Sequence, residues 1–131
     1  MTIKNGVSLW EHVHVADNVF LGPNAVLTND LTPRSRAADW VPVDTWIEEG
    51  VTIGANATIV CGVRLGQRCL IGAGAVVTHD VRPHELVYGS PAKSRGWVCF
   101  CAQVLKGDPI ATCERCGRKY EVSKAGVQEV A

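Results

Sequence analysis

The sequence has no excess of charge of either sign. Thirteen lysines and arginines balance thirteen aspartates and glutamates over 131 residues, and no run of like charge stands out. Binding to a polyanion by counterion release requires a concentrated set of basic side chains, which this chain lacks. Nucleic acid is therefore not expected as a partner.

Long apolar runs are also missing. No stretch reaches the roughly 20 apolar residues of a membrane span. The start of the chain, MTIKNGVSLW, has neither the basic residues nor the apolar core of a secretory leader. The sequence therefore predicts a cytoplasmic protein without membrane insertion. Its length predicts one domain with a small appendage, and a hydrophobic content of 47% is enough for a continuous core.

A secreted disulfide scaffold is disfavoured, although the chain has six cysteines. Such scaffolds belong to oxidising compartments, whereas the cytoplasm keeps thiols reduced. Cys61 and Cys69 stand alone within the body of the chain. The other four crowd together near the C-terminus: Cys99, Cys101, Cys113 and Cys116. Two different roles are implied.

What the sequence does have is a period of six. From Ile3 the units are IKNGVS, LWEHVH, VADNVF, LGPNAV and a truncated LTND; from Ile47 they are IEEGVT, IGANAT, IVCGVR, LGQRCL, IGAGAV and VTHDVR. All eleven units begin with Ile, Leu or Val, and the fifth residue of the ten complete units is Val, Ala or Cys. Each unit predicts a short strand and a turn, and three units complete one coil of an all-β parallel β-helix with position one inward. Eleven units predict a little under four coils.

The repeat resembles that of the left-handed parallel β-helices. Position one would fill the interior of the triangular coil, and the small fifth residue would fit beside it where coils stack at about 4.8 Å. Proteins of this type usually trimerise along one flat face. The resemblance therefore implies a homotrimer with clefts between its subunits.

The six-residue period is absent from residues 28–46, where a protruding loop is predicted. A tolerated surface insertion explains such a break equally well, since solenoids accept extra residues in loops. The amino-acid composition of this segment favours a functional loop, because arginine and tryptophan suit contacts with a neighbouring subunit or an anionic ligand. The residues concerned are Arg34, Arg36, Asp39, Trp40, Asp44 and Trp46.

Residues 3 to about 97 resemble the nucleotide-sugar 3-N-acetyltransferases. The segments that carry the resemblance are NGVSLWEHVHVADNVFLGPNAVLTNDLTPRS, TIGANATIVCGVRLG, IGAGAVVTHDV and VYGSPAK. The resemblance implies a trimeric enzyme that acetylates the 3-amino group of a UDP- or dTDP-linked amino sugar, used for bacterial surface polysaccharides. Acetyl-CoA, the co-substrate, would lie in the cleft between adjacent β-helices. Family members usually carry one or two further coils before the segment that matches Ile3.

The same resemblance suggests site residues. Asn29 is expected beside the reacting amine or thioester, Glu11 near the ammonium form of the sugar, and Arg34 at a uronate carboxylate or a phosphate. Small residues would let the pantetheine approach the backbone, and two basic residues would meet the CoA phosphates. These cofactor residues are Ala55, Gly62, Ala73, Gly74, Lys93 and Arg95.

Histidines invite a catalytic role that the resemblance does not require. The family has glycine and threonine where this chain has His12 and His14, and the leaving CoA sulfur can take the final proton. We retain His14 as a candidate for substrate contact, against a solvated or interfacial histidine. His79 and His84 have the five-residue separation of two metal ligands in γ-class carbonic anhydrases, a rival enzyme with this fold, although Val43 stands where a third histidine would be sought.

The two solitary cysteines are not expected to be nucleophiles. Cys69, at the fifth position of its hexad, is predicted to fill the core. Cys61, at the third position, is predicted to be a turn residue.

After residue 92 a different structure is expected. Cys99 and Cys101 form one close pair, and Cys113 and Cys116 form another after eleven residues. Four thiolates in two pairs suit a closed tetrahedral zinc site, which would be structural; paired redox cysteines or an iron–sulfur site are the alternatives. This predicts a zinc ribbon over residues 93–123, after a β-helix over residues 1–92 and before a flexible tail over residues 124–131.

Two classes of function stay open from the sequence. One is the sugar N-acetyltransferase. The other is a non-catalytic trimeric β-helix that binds a partner through its zinc ribbon.

Overall fold

The computed structural model describes residues 1–130, which form fifteen short β-strands and no helix. None of these residues therefore lies in a helix that could cross a membrane. Eleven of the strands build three parallel faces, so the prediction of an all-β parallel β-helix is confirmed at the level of strand pairing.

The first face is the longest. It joins β1 (Thr2–Ile3), β3 (Phe20–Leu21), β6 (Thr52–Ile53), β9 (Leu70–Ile71) and β11 (Glu85–Gly89) in parallel, and ends at the antiparallel strand β12 (Ala92–Trp97). The second face consists of β4 (Val26–Leu27), β7 (Thr58–Ile59) and β10 (Val76–Val77). The third consists of β2 (Val13–Val15), β5 (Thr45–Ile47) and β8 (Arg64–Leu65), extended by a bridge between Leu65 and Val81.

The strand register follows the hexads. Ile53 pairs with Ile71 and Thr52 with Leu70, so one coil separates partners by three units of six. Equal spacing keeps every first-position side chain on the inside of the coil, because a strand alternates its faces with period two. The sequence period thereby sets the stacking of whole coils.

The core consists of the first and fifth positions of the hexads. From Leu21 to Val77 every first-position residue is at most 2% exposed, and the fifth-position residues from Val19 to Val81 are at most 5% exposed. The first coil differs: Ile3 and Leu9 are 45% and 43% exposed, so first-position side chains are not buried there. Burial of a first-position side chain requires a neighbouring coil, and these two residues lie at the end of the stack.

The solitary cysteines both lie in or beside this core. Cys69 is 1% exposed and packs in the main hydrophobic cluster, as predicted, and burial raises the pKa of its thiol. Cys61 stands in a bend but is 3% exposed, so it is more buried than a turn residue need be. Its N–H donates to Thr28 Oγ1 at 2.9 Å.

The predicted loop leaves the stack between β4 and β5 and spans residues 28–44. Strand β5 begins at Thr45, two residues earlier than the hexad count, so Trp46 is a strand residue rather than a loop residue. Thr45 is buried at 1% exposure. The loop lies at the edge between the second and third faces, which we call the loop edge (residues 10–12, 28–44, 61–62 and 78–80).

A ribbon (residues 98–130) follows the β-helix. Its sheet consists of β13 (Ile110–Thr112), β14 (Lys119–Ser123) and β15 (Gly126–Val130), all antiparallel. The flexible tail expected over residues 124–131 is therefore corrected: residues 126–130 pair with β14 through a turn at residues 124–125, and Ala131 lies outside the described residues. Strand β12 continues to Trp97, past the predicted boundary at residue 92.

Candidate functional site

Both ends of the loop are tied to the preceding coil at the loop edge. The Asn29 side-chain amide donates to the carbonyl of Glu11 at 3.2 Å. The Asn29 carbonyl accepts the N–H of Val43 at 2.9 Å, and the Thr45 N–H donates to the carbonyl of His12 at 2.9 Å. The two residues predicted to be catalytic, Asn29 and Glu11, are thus brought together, and the Glu11 side chain is exposed.

A carboxylate joins two imidazoles beside them. Asp44 Oδ1 lies 2.9 Å from His12 Nδ1 and 2.9 Å from His14 Nε2. Hydrogen bonds from His14, and then from His12, hold the pKa of the Asp44 carboxyl below its usual range. The Asp44 carbonyl also accepts the N–H of Gly62 at 3.0 Å, so this residue links the preceding coil to the following one.

The imidazole of His14 is part of a column of outward side chains on the third face. It stacks on Trp46 with ring centroids 3.8 Å apart and an interplanar angle of 11°. The guanidinium of Arg64 lies over the same indole at 5.3 Å. His14, Trp46 and Arg64 are register partners on β2, β5 and β8, which explains the stacking. The stack with Trp46 leaves the His14 side chain 43% exposed. A substrate contact by His14 stays a prediction.

Arg34 lies in the loop rather than at the loop's base. It lines an open concavity of about 520 Å³ together with Asn29, Arg36 and Trp40. Two guanidinium groups and one indole beside the Asn29 amide form a surface that suits an anionic, partly flat ligand.

Four of the residues predicted for CoA lie at two different edges of the β-helix. Ala55, Ala73 and Gly74 stack at the edge between the first and second faces, where the Gly74 N–H donates to the Ala55 carbonyl at 2.8 Å. Gly62 lies at the loop edge, on the other side of the second face. A ligand that contacts all four must therefore lie across the second face, and this arrangement stays a prediction.

Lys93 and Arg95 lie on β12, at the end of the first face. Lys93 is opposite Tyr88 in the hairpin. The Arg95 guanidinium lies 4.8 Å from the Tyr88 ring, and its Nε donates to the Tyr88 carbonyl at 3.3 Å.

The four C-terminal cysteines meet in space. Their sulfur atoms all lie within 4.8 Å of one another, with Cys99 and Cys116 at 3.4 Å and Cys101 and Cys113 at 3.6 Å. Zinc–sulfur bonds of about 2.3 Å in a tetrahedron place sulfurs about 3.8 Å apart, so the geometry fits a four-thiolate metal site.

The surroundings of the sulfurs favour thiolates at one side of the cluster. Hydrogen bonds from the Arg118 N–H and guanidinium lower the pKa of Cys116 to about 6. The Cys116 N–H lowers the pKa of Cys113, whereas burial raises that of Cys99 to about 12. A bound cation would offset the burial of Cys99, since metal binding drives thiol deprotonation.

The rival metal site is not assembled. His79 Nδ1 lies 2.9 Å from Thr78 Oγ1, and His84 Nδ1 donates to the carbonyl of Val98 at 2.8 Å. Within residues 1–130 the cysteines form the one group of three or more side chains placed to hold a metal. The carbonic anhydrase interpretation is therefore unsupported.

Some residues at these sites carried no sequence signal. Tyr120 is fully buried beside Cys99, and Arg118 lies beside Cys116. Asp44 was noted as a loop residue, but its contact with both histidines depends on the return path of the loop.

Comparison with known proteins agrees with this architecture. Residues 45–79 match the family described as the hexapeptide repeat of succinyl-transferase. Over 87 residues the chain is 42% identical to the dTDP-3-amino-3,6-dideoxy-alpha-D-galactopyranose 3-N-acetyltransferase of Aneurinibacillus thermoaerophilus, a match that covers 66% of this chain and 45% of the relative. The repeat domain is therefore similar in sequence to a nucleotide-sugar acetyltransferase and to the hexapeptide-repeat model.

Other acetyltransferases are also similar to this chain. The 2,3,4,5-tetrahydropyridine-2,6-dicarboxylate N-acetyltransferase of Staphylococcus aureus is 46% identical over 76 residues, 58% of this chain and 29% of the relative. The crystal structure of a hexapeptide-repeat acetyltransferase from Vibrio cholerae has a TM-score of 0.60 at 31% identity, covering 65% of this chain and 51% of that one. A second structure of that protein, with acetyl-CoA, has a TM-score of 0.56 at 26% identity, covering 70% and 63%.

These neighbours imply left-handed coils for the β-helix. The chain spans less than half the length of the curated relatives that it matches.

Proposed function

We propose that this chain is an acetyl-CoA-dependent N-acetyltransferase that acts in the cytoplasm on the 3-amino group of a nucleotide-linked amino sugar for surface polysaccharide biosynthesis. The observation that carries the proposal is the junction of Asn29 with Glu11 at the base of the loop. The sugar acetyltransferase at 42% identity supports the substrate class, and the Vibrio cholerae complex supports acetyl-CoA.

The reaction requires few protein groups. The sugar amine forms a bond to the acetyl carbon, the carbon–sulfur bond breaks, and the proton that the nitrogen loses is taken by the departing thiolate. The protein must hold the two reactants together and donate to the oxygen that becomes negative. The Asn29 amide is the donor that we assign to this site. We assign the Glu11 carboxylate to hold the sugar ammonium, which loses one proton to solvent before the neutral amine attacks. Arg34 would bind a uronate or a phosphate.

A homotrimer would complete the site. Large apolar side chains are exposed along the β-helix, among them Leu9, Trp10, Val26 and Trp46, each between 43% and 51% exposed. Packing of three copies along one face would cover part of this surface. The cleft so formed would hold acetyl-CoA against the second face, next to Ala55, Gly62 and Gly74.

We assign zinc to the four cysteines as a structural metal. All four tetrahedral positions are filled by Cys99, Cys101, Cys113 and Cys116, which leaves no open position for catalysis. The ribbon's own core contains three buried residues, Cys99, Cys113 and Tyr120, so the metal would supply much of its stability.

The test is release of free CoA thiol from acetyl-CoA by the zinc-loaded protein. UDP- and dTDP-linked 3-amino sugars are offered in parallel, with and without a uronate. Release that depends on one sugar supports the function and names the substrate class. The absence of release with every sugar, by a protein that is trimeric and zinc-loaded, would contradict it and favour the partner-binding β-helix.

Two substitutions test the site. Asn29→Ala removes the amide that contacts Glu11 and is expected to lower kcat by about 100-fold, the cost of one oxyanion donor. Glu11→Ala is expected to raise KM for the sugar. Gln67→Ala is the matched control, because Gln67 is an exposed turn residue that carries a side-chain amide at a different edge, after β8. Unchanged turnover in both site variants would overturn the assignment of the site while leaving the function intact.

A further inference from the structure

The ribbon is docked on the last turn of the β-helix by polar contacts. His84 Nδ1 donates to the Val98 carbonyl, and the Val98 N–H donates to the His84 carbonyl, both at 2.8 Å. Arg82 Nη1 donates to the carbonyl of Lys124 at 2.8 Å, and its guanidinium lies 4.7 Å from the Trp97 ring. The docking surface therefore includes both the start of the ribbon and the turn before its last strand.

One further contact joins the β-helix to the cysteine cluster. The ring of Phe100 contacts two guanidinium groups, that of Arg68 at 3.7 Å and that of Arg118 at 4.5 Å. Arg68 belongs to the β-helix and pairs with Glu49, whereas Arg118 belongs to the ribbon. Phe100 is the residue between Cys99 and Cys101, so its ring is fixed only when the chain on both sides of it is fixed.

Ribbon residues at this contact also reach the sulfur atoms. Arg118 Nη1 donates to Cys116 Sγ at 3.4 Å. The Tyr120 hydroxyl lies 3.3 Å from Cys99 Sγ and accepts the N–H of Phe100 at 2.9 Å. Groups that donate to ligand sulfurs orient them and tune metal affinity. Arg118 and Tyr120 are thus positioning residues for the cluster.

From these contacts we infer that metal binding at the four cysteines and docking of the ribbon on the β-helix are one coupled process, transmitted by Phe100 between Arg68 and Arg118. A metal bound by Cys99 and Cys101 fixes the segment that presents Phe100 to Arg68. Conversely, docking of Phe100 on Arg68 orders two ligands before the metal arrives. Coupling of this kind is reciprocal, so a change at either place alters the other by the same factor.

The test is the zinc affinity of the full chain, measured by competition with a chromophoric chelator. Arg68→Ala is expected to weaken zinc binding roughly five-fold, the lower end of typical coupling between sites, although Arg68 has no contact with a cysteine sulfur. Arg64→Ala is the matched control, since Arg64 also lies over an aromatic ring, Trp46, and also pairs with a glutamate, Glu48. Its zinc affinity should equal that of the unsubstituted protein.

A second variant guards against misfolding. Arg68→Gln keeps most of the side-chain stem but removes the cation. If Arg68→Ala does not fold, the zinc affinity of Arg68→Gln tests the coupling instead. Zinc affinities of the Arg68 variants equal to that of Arg64→Ala would overturn the coupling. Failure of the unsubstituted protein to bind zinc would overturn it as well, because no metal site would then exist. Neither result depends on acetyltransferase activity.

Discussion

At the scale of single residues, Asp44 has the largest set of contacts at the base of the loop. Its carboxylate accepts hydrogen bonds from both His12 and His14, and its carbonyl accepts one from Gly62. The next residue, Thr45, is buried and binds the carbonyl of His12. The contacts of Asp44 therefore fix the path by which the loop returns to the coil. The preceding residue, Val43, donates its N–H to the Asn29 carbonyl, which brings Asp44 close to Asn29.

Replacement of a histidine should shift the titration of Asp44. The pKa of this carboxyl lies below its usual range chiefly because of His14, with His12 second. We expect His14→Ala and His12→Ala each to raise the Asp44 pKa, as measured by NMR titration of the carboxyl carbon. Equal pKa values in the two variants and the unsubstituted protein would show that the contacts are absent in solution.

The lowered pKa also sets the direction of pH dependence. A carboxyl whose pKa is depressed by folding stabilises the folded state at pH above its unfolded value, about 3.9 for aspartate. This contribution is lost as the pH falls through the lowered value. Because Asp44 is exposed, the effect on global stability should be small, and it should be visible at the loop rather than in the coils.

At the scale of elements, the coils are held together by inward aliphatic side chains and by close approach of backbones at the turns. Gly22 shows the second requirement. A Cβ at Gly22 would lie 2.7 Å from the backbone nitrogen of Ala55 in the next coil, closer than such atoms can approach. The glycine is therefore required by stacking, not by its own backbone angles.

Ile53→Ala should destabilise the β-helix by about 2–5 kcal/mol, because it deletes a fully buried side chain and leaves a cavity. Ile3→Ala, at the same position of the first hexad, should cost much less, since Ile3 is 45% exposed. Denaturant unfolding of both variants checks this difference. Similar losses at the two sites would mean that Ile3 is buried in solution, for instance by another subunit.

Gly22→Ala should also destabilise the fold, since the clash is with backbone that cannot rotate away. Gly74→Asn is the control: at Gly74 no atom lies within 4 Å of an added Cβ, and asparagine tolerates its positive φ of 72°. Thermal unfolding should show a lowered midpoint for Gly22→Ala only. An unchanged midpoint for Gly22→Ala would mean that adjacent coils are further apart than described.

At the scale of the whole molecule, the two parts of the chain owe their stability to different sources. The β-helix buries one continuous cluster of aliphatic side chains from Val19 to Val87. The ribbon's separate cluster has three fully buried residues, two of them cysteines. Structures with so small a core usually need a metal or cross-links.

Removal of the metal by a chelator should therefore expose the ribbon and spare the coils. We expect trypsin to cut after Lys106 and Arg115 only in the chelated protein, while Arg64, on strand β8, stays protected. Cleavage after Arg34 in the loop should be the same in both states and serves as the internal control. Equal protection of the ribbon with and without chelator would contradict a structural metal.

The sequence by itself determined the β-helix, its core and the grouping of the four cysteines. These features depend on local spacing: a period of six decides which side chains face inward, and close pairs of cysteines with suitable turns bring four sulfurs together. Asn29 and Glu11 were named from a family resemblance, and the structure adds their contact, although their roles stay predictions.

Only the tertiary structure decided which distant residues meet. The pairing of Asp44 with two histidines, the contacts of Phe100 with Arg68 and Arg118, and the contact of Arg82 with Lys124 join residues far apart in the chain. The tail that was expected to be flexible forms strand β15, because it pairs with the free edge of β14. Such contacts depend on the path of loops and on how the ribbon docks, and no local period in the sequence records either.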